Sequence, residues 1–156
     1  MANVYDDILD STVVTIRALS LVSDENVLKC KVSRKFKNDA LVRTLPCVLV
    51  APFGSVSRTA YSNLKDEVIY PVLVAYIAAS NNSQTHNMTK HLTALQELGR
   101  AFRPRGSISI SEALVDHINT EVAPRSSYDL PAWFEQYDLG DTLLRIRVNE
   151  PRTQAV

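Results

Sequence analysis

Glycine is scarce in this chain: four among 156 residues, at positions 54, 99, 106 and 140. No two are close enough to form the glycine-rich loop whose backbone amides cradle a phosphate, so a nucleotide-binding fingerprint is missing. Cysteine is scarcer still, with only Cys30 and Cys47. Two thiols are too few for a disulfide framework, and neither belongs to a CxxC pair. Both fall in apolar, strand-like runs and read as buried thiols in a reducing compartment, a cross-strand disulfide being the alternative. Net charge is also lacking: 17 Lys and Arg balance 17 Asp and Glu, for a formal charge of zero. A neutral chain has no global electrostatic reason to seek nucleic acid or an anionic membrane, and little charge opposing self-association. The longest apolar run, 68–79, is broken by Tyr70, Pro71 and Tyr76 and is shorter than the roughly 20 residues of a membrane span. Residues 1–10 show no basic region followed by an apolar core, so no signal peptide is expected. The two Asn-x-Ser/Thr matches, at Asn81 and Asn87, then read as chance.

What is present suits one globular domain. The chain is 46% hydrophobic and 22% charged. A domain of this length buries roughly 68–70% of its unfolded surface and needs no staple. Residues 3–22 predict a helix, with Val4, Ile8, Thr12, Ile16 and Leu19 near one stripe and Asp6, Asp7 and Asp10 in its first turns. Val27 to Ser33 alternates as a half-buried strand, Leu28 on one face and Lys29 on the other. Leu45 to Phe53 is nearly all apolar and predicts a strand covered on both faces. Gly54 to Asp66 has no clean period and reads as a long loop or an excursion of the hairpin joining two strands. Residues 67–79 predict a long strand in which Pro71 marks a bend or an edge. A second helix follows to Arg103, with Met88, Leu92, Leu95, Leu98 and Phe102 as its stripe and Ser83 or Thr85 as its cap. Ser107 to Ile110 alternates like a strand; Ser111 to Val122 reads as a continuing strand or as a short helix starting at Ser111 with Glu112 in its first turn, a strand around 113–122 being the preferred reading. Thr142 to Val148 alternates most clearly, and the residues from Asn149 on read as an unpacked polar tail. The sum is an α+β domain over 1–150: a mostly antiparallel sheet of four to five strands, with two main helices on one face and a tail at 151–156.

Catalytic chemistry is hard to assemble from this inventory. His86 and His91 are five residues apart and point to different faces of a helix, and His117 is distant, so no metal set is expected. Ser107, Ser109 and Ser111 near Asp116 and His117 lack the sharp glycine-flanked turn that exposes a nucleophile. No cofactor and no enzymatic role are expected. Surface contacts are the better candidates. Arg100, Arg103 and Arg105 either complement a helix C-terminus or meet an acidic partner or DNA phosphates. Arg145 and Arg147 are either a solvated sheet face or charged pairs across a subunit seam. Trp133 and Phe134 either cover the domain's own core or anchor in a neighbour. Asp6, Asp7 and Asp10 are either helix-start electrostatics or an acidic channel lining.

Three stretches carry a resemblance: Leu45 to Pro52 (LPCVLVAP), Val68 to Tyr76 (VIYPVLVAY) and Leu143 to Glu150 (LLRIRVNE). A leading helix, a strand ending at a proline, a loop, a strand entered through Tyr-Pro, a helix, an aromatic-bearing loop and a final Leu/Arg strand resemble the tail terminator proteins of long-tailed bacteriophages. The resemblance implies a non-enzymatic α/β subunit of a homohexameric ring. Such a ring caps the tail tube, ends its polymerisation and docks to the head-completion or stopper protein. Genomic DNA passes its lumen without sequence-specific binding and no membrane is involved. Assembly in the host bacterial cytoplasm and a final place in the virion neck are implied with it. The loop at 54–66, with Ser55, Arg58, Tyr61 and Lys65, would reach toward the tail tube. A head–tail stopper or other connector subunit is the near alternative, and a small cytosolic ligand-binding enzyme the alternative from another class.

Overall fold

The computed structural model describes residues 3–29, 46–79, 84–103, 107–110, 116–124 and 137–152. Helix α1 (Val4–Ala18) opens the chain. The Asn3 side chain caps it by accepting from the Asp6 N–H at 3.2 Å, and Asp6 and Asp7 fill the first turn, where the unpaired amides favour negative charge. The helix stops well before the expected residue 22. Ser20 takes a left-handed φ of 54° and its N–H bonds the Arg17 carbonyl, the usual way an α-helix is halted.

A 3-10 turn (Asp24–Asn26) leads into β1 (Val27–Lys29); β2 (Cys47–Pro52), β3 (Ser57–Ala60) and β4 (Lys65–Ala79) follow. Helix α2 (Gln84–Ala101), β5 (Asp116–Pro124) and β6 (Tyr137–Pro151) complete the order. Among the described residues one six-stranded sheet runs β1-β2-β4-β6-β5, with β3 added alongside β4. The α+β class is as expected. The sheet departs from expectation by an extra strand, β3, and by a parallel pair, β1 with β2. The pairs β2–β4, β3–β4, β4–β6 and β5–β6 are antiparallel. A parallel pair needs a crossover of a dozen residues or more, which residues 30–46 are long enough to supply.

Cross-strand register builds the core. Val48 faces Tyr76 and Val50 faces Val74, while Val68, Tyr70 and Val72 face Val148, Ile146 and Leu144. These even-numbered positions form one apolar face. Ile8, Leu9, Val13 and Ile16 of α1 and Ala94 and Leu98 of α2 join the same cluster, with Phe102, Ile108 and Ile110. Thr12 is fully buried among them and satisfies its hydroxyl on the Ile8 carbonyl at 2.7 Å. The odd-numbered Cys47, Leu49, Ala51, Leu73, Ala75 and Ile77 are buried too, so β2 is covered on both faces as its composition predicts. Cys30 lies outside the described residues.

Four expectations need correction. The stripe of α2 is Ala94, Leu95, Leu98 and Phe102, while Leu92 is 49% exposed. The helix also begins at Gln84, so Thr85 lies inside it and does not cap it; Ser83 lies outside the described residues. Ser107 to Ile110 is not a strand. It lies along α1, where Thr15 donates to the Ser107 carbonyl at 2.6 Å and the Ser109 N–H to the Ser11 hydroxyl at 2.8 Å. Finally, β6 runs on to Pro151, so residues 149–151 belong to the sheet and not to a tail.

Gly140 sets the distance between α2 and β6. A Cβ built there would lie 2.3 Å from Leu95 Cδ2, 2.5 Å from Cδ1 and 2.8 Å from Cγ. Glycine leaves room for the Leu95 side chain in this rotamer between the helix and the strand.

Candidate functional site

The end of the sheet where β4 begins is built unlike the rest. Strand β2 stops at Pro52, opposite Val72, and β3 resumes the pairing at Ser57, opposite Ile69. Phe53 to Val56 form an outward bulge between them, with Gly54 at φ 80°. Pro71 sits opposite this bulge. Its carbonyl accepts the Phe53 N–H at 3.2 Å, so its missing N–H points to the same side, where the bulge presents no regular ladder partner. A proline is therefore tolerated in a strand flanked on both sides. Tyr5 of α1 closes the gap: its hydroxyl donates to the Pro71 carbonyl and accepts from the Phe53 N–H at 3.3 Å. Its ring packs on Tyr70 with centroids 5.0 Å apart. Burial keeps the Tyr5 hydroxyl above the usual tyrosine pKa.

Beyond the bulge, β3, the start of β4 and the end of β6 continue as a ribbon, with the start of β5 beside β6. The even-numbered face that carries the core below carries ions here. Arg58 reaches Glu150 at 3.1 Å and Asp66 at 3.9 Å; Arg152 reaches Asp66 through Nε at 3.0 Å and a terminal nitrogen at 2.8 Å. The Tyr70 hydroxyl donates to Glu150. Asp66 and Glu150 are largely shielded, with side chains 15% and 12% exposed. Two carboxylates against two guanidiniums leave the cluster balanced. Burial and the adjacent Glu150 carboxylate hold Tyr70 protonated far above its ordinary range. This arrangement is a clamp, since a tyrosine so held cannot serve as a base.

The ribbon ends in an ordered turn. Tyr61 and Ser62 donate their N–H groups to the Lys65 carbonyl at 3.1 and 3.0 Å. The Ser62 hydroxyl accepts from the N–H groups of Leu64 and Lys65 at 3.2 and 3.1 Å, and the Arg152 N–H bonds the Leu64 carbonyl at 2.8 Å. Tyr61 and Leu64 stand on this turn 65% and 70% exposed. The segment expected as a loop or hairpin excursion is thus a paired strand and a fixed turn. Of its four candidate residues, Ser55 lies exposed in the bulge, Arg58 belongs to the clamp, Tyr61 is at the tip, and Lys65 starts β4 half-buried.

The other candidates are scattered. Asp6 and Asp10 both bind Lys29 Nζ at 2.7 Å, and Asp7 is half-buried on the same helix. Lys29 therefore lies on the α1 side of β1 with Val27, the reverse of the expected facing, because two helix carboxylates satisfy its charge. Its pKa is raised by the hydrogen bonds to Asp10 and Asp6. Arg100 pairs with Glu97 at 3.5 Å and Arg103 is exposed beyond the end of α2. Arg145 is exposed and Arg147 pairs with Glu67 at 3.5 Å, both on the odd-numbered face of the sheet, away from the core cluster that α2 joins. Arg105, Trp133 and Phe134 lie outside the described residues. Among the described residues no three His, Cys, Asp or Glu side chains converge as a metal set, and no helix is long and apolar enough to cross a membrane.

Tyr5, Leu64, Asp66, Tyr70, Glu150 and Arg152 are the residues that sequence reading missed. The usable signals were Ser62-Asn63 as a turn between two pairing stretches, and the alternation of β6 continued past Val148. No protein-family model matches this sequence, and comparison with characterised proteins finds no match either.

Proposed function

We propose that this chain is a structural assembly subunit: a tail terminator of a long-tailed bacteriophage, six copies of which form the ring that caps the tail tube and joins it to the head. The ribbon carries this reading. It is an arm clamped at its base by Arg58, Asp66, Glu150 and Arg152, with a hydrogen-bonded tip that holds Tyr61 and Leu64 out in solvent. A tyrosine and a leucine displayed on a pre-ordered turn lose little further entropy on docking, which suits a protein–protein anchor. The arm's charges cancel one another, so a neutral apolar seat on the tube protein is the better fit than DNA. Asp6, Asp7 and Asp10 remain the candidates for the lumen rim, with Lys29 offsetting part of their field.

The test is in vitro tube assembly with the full chain. Added chain is expected to form rings by negative stain and to stop tube growth, and Tyr61→Ser with Leu64→Ser should abolish that arrest. Binding to the head connector but not to the tube would make the chain a stopper. A chain that stays monomeric and leaves tube growth unaltered would end the reading.

A further inference from the structure

The sheet has two outer strands at the level of the ribbon, and they match. Following the register across four strands gives Ser57, Ile69, Arg147 and Asn119 in one row. Arg58, Val68, Val148 and His117 form the next, then Thr59, Glu67, Asn149 and Asp116. Among the described residues β3 pairs only with β4, and β5 only with β6. Each therefore offers a row of backbone donors and acceptors on its outer side. The irregularity in β5 falls between His117 and Asn119, within these rows, and from Asn119 to Pro124 the register is regular.

We propose that copies of this chain join edge to edge, β3 of one subunit pairing antiparallel with β5 of the next, so that the sheet continues from copy to copy. This rests on the assembly reading above and adds which surfaces meet.

Polarity comes first. Strand β3 is antiparallel to β4, β6 is antiparallel to β4, and β5 is antiparallel to β6. So β5 runs parallel to β4 and opposite to β3, and a second copy set beside the first in the same orientation brings β3 against β5 as an antiparallel pair. Protection comes second. Exposed edges are usually guarded by a charge or a proline, and the charge on β3 is diverted: Arg58 is drawn back over the ribbon face by Glu150 and Asp66. All four β3 residues are exposed, and among the described residues nothing covers this edge. Charge comes third. Arg58 is the only ionised residue of β3, whereas β5 contains Asp116 and Glu121. With Arg58 engaged on its own ribbon face, β3 brings no carboxylate to the seam, so Asp116 and Glu121 of β5 meet no like charge there, as they would if β5 paired with β5. Such a contact is head-to-tail, the kind that makes a ring where the rotation between neighbours closes and a filament where it does not.

Backbone geometry singles out a variant. The Tyr61 N–H is bonded inward to Lys65 of β4, so the N–H of its neighbour Ala60 points to the outer edge. Ala60→Pro removes that outward donor and leaves the bonds to β4 in place. Sedimentation of the full-length chain should show concentration-dependent assembly for the wild type. Ala60→Pro should keep the same circular dichroism and melting temperature while assembling at least about tenfold more weakly. Mixed Ser57→Cys and Asn119→Cys chains should be joined by a short bis-maleimide, each alone should not, and the wild type with its native cysteines should not. If Ala60→Pro fails to fold, this cross-link decides. Ala60→Pro assembling as tightly as wild type, or Ser57→Cys linking to itself, would overturn the edge pairing and leave the assembly reading standing. A wild type that is monomeric at every concentration and on tail tubes would overturn both.

Discussion

Gly140→Ala is the sharpest probe of how α2 rests on the sheet. Nonbonded carbons settle at about 3.5–4.0 Å. The added methyl would meet three Leu95 carbons at 2.3, 2.5 and 2.8 Å. The two methyls can rotate away, because Leu95 is only partly buried. Its Cγ can move only by a change of χ1, and a helix leaves leucine two χ1 wells, so part of the strain is taken up by moving α2 or β6. Overpacking of this kind costs about 1–3 kcal/mol. Replacing glycine also narrows the unfolded ensemble, which returns about 0.4–1 kcal/mol. The net expectation is a loss of about 1–2 kcal/mol, or about 3–6 °C in melting temperature for a chain of this size. The assay is urea unfolding by circular dichroism of wild type, Gly140→Ala, Leu95→Ala and the double variant. With Leu95 cut back to alanine the clash is gone, so Gly140→Ala should become neutral or mildly stabilising, with a coupling of at least about 1 kcal/mol. Equal destabilisation in both backgrounds, or a stabilised single variant, would refute the close approach.

Three further outcomes follow from the geometry. Ser20 holds a left-handed φ of 54° at the end of α1, so Ser20→Gly should raise stability by about 0.5–1 kcal/mol in the same urea assay. Tyr70, raised by burial and then by Glu150, stays protonated in the fold while the unfolded chain ionises near pH 10; Tyr5 and Tyr76, raised chiefly by burial, share the direction. The unfolded state then binds fewer protons, so stability should hold up to about pH 10 and fall above it. Tyr70→Phe should make that fall shallower by up to about 1.4 kcal/mol per pH unit, read from urea midpoints between pH 8.5 and 11. Tyr61→Ser with Leu64→Ser, acting on two exposed side chains, should change the stability read from urea unfolding by no more than about 0.5 kcal/mol per substitution while removing tube arrest.

Alternation made the core legible. Leu144, Ile146 and Val148 repeat every second residue against Leu143, Arg145 and Arg147, and that period sends them to one face, while in the unbroken apolar runs of β2 and β4 the register decides which positions join them. The unbroken apolar run of β2 announced cover on both sides for the same local reason. The tip was half legible. Its turn residues stand in the sequence, but β3 (SRTA) is exposed at all four positions, and a strand with no buried face carries no periodic signal. Only its ladder to β4 makes it a strand.

What the amino acids settled unaided is which side chains shun water and with what period, because that property belongs to each residue and its immediate neighbours. The tertiary structure decided the rest: that Pro71 is harmless beside a bulge, that Lys29 faces two helix carboxylates, that Gly140 admits Leu95, and that Arg58, Arg152, Asp66 and Glu150 meet. Each of these depends on a partner far away in the chain, and a charge or a missing donor is satisfied by what folding brings to it, which no local pattern records.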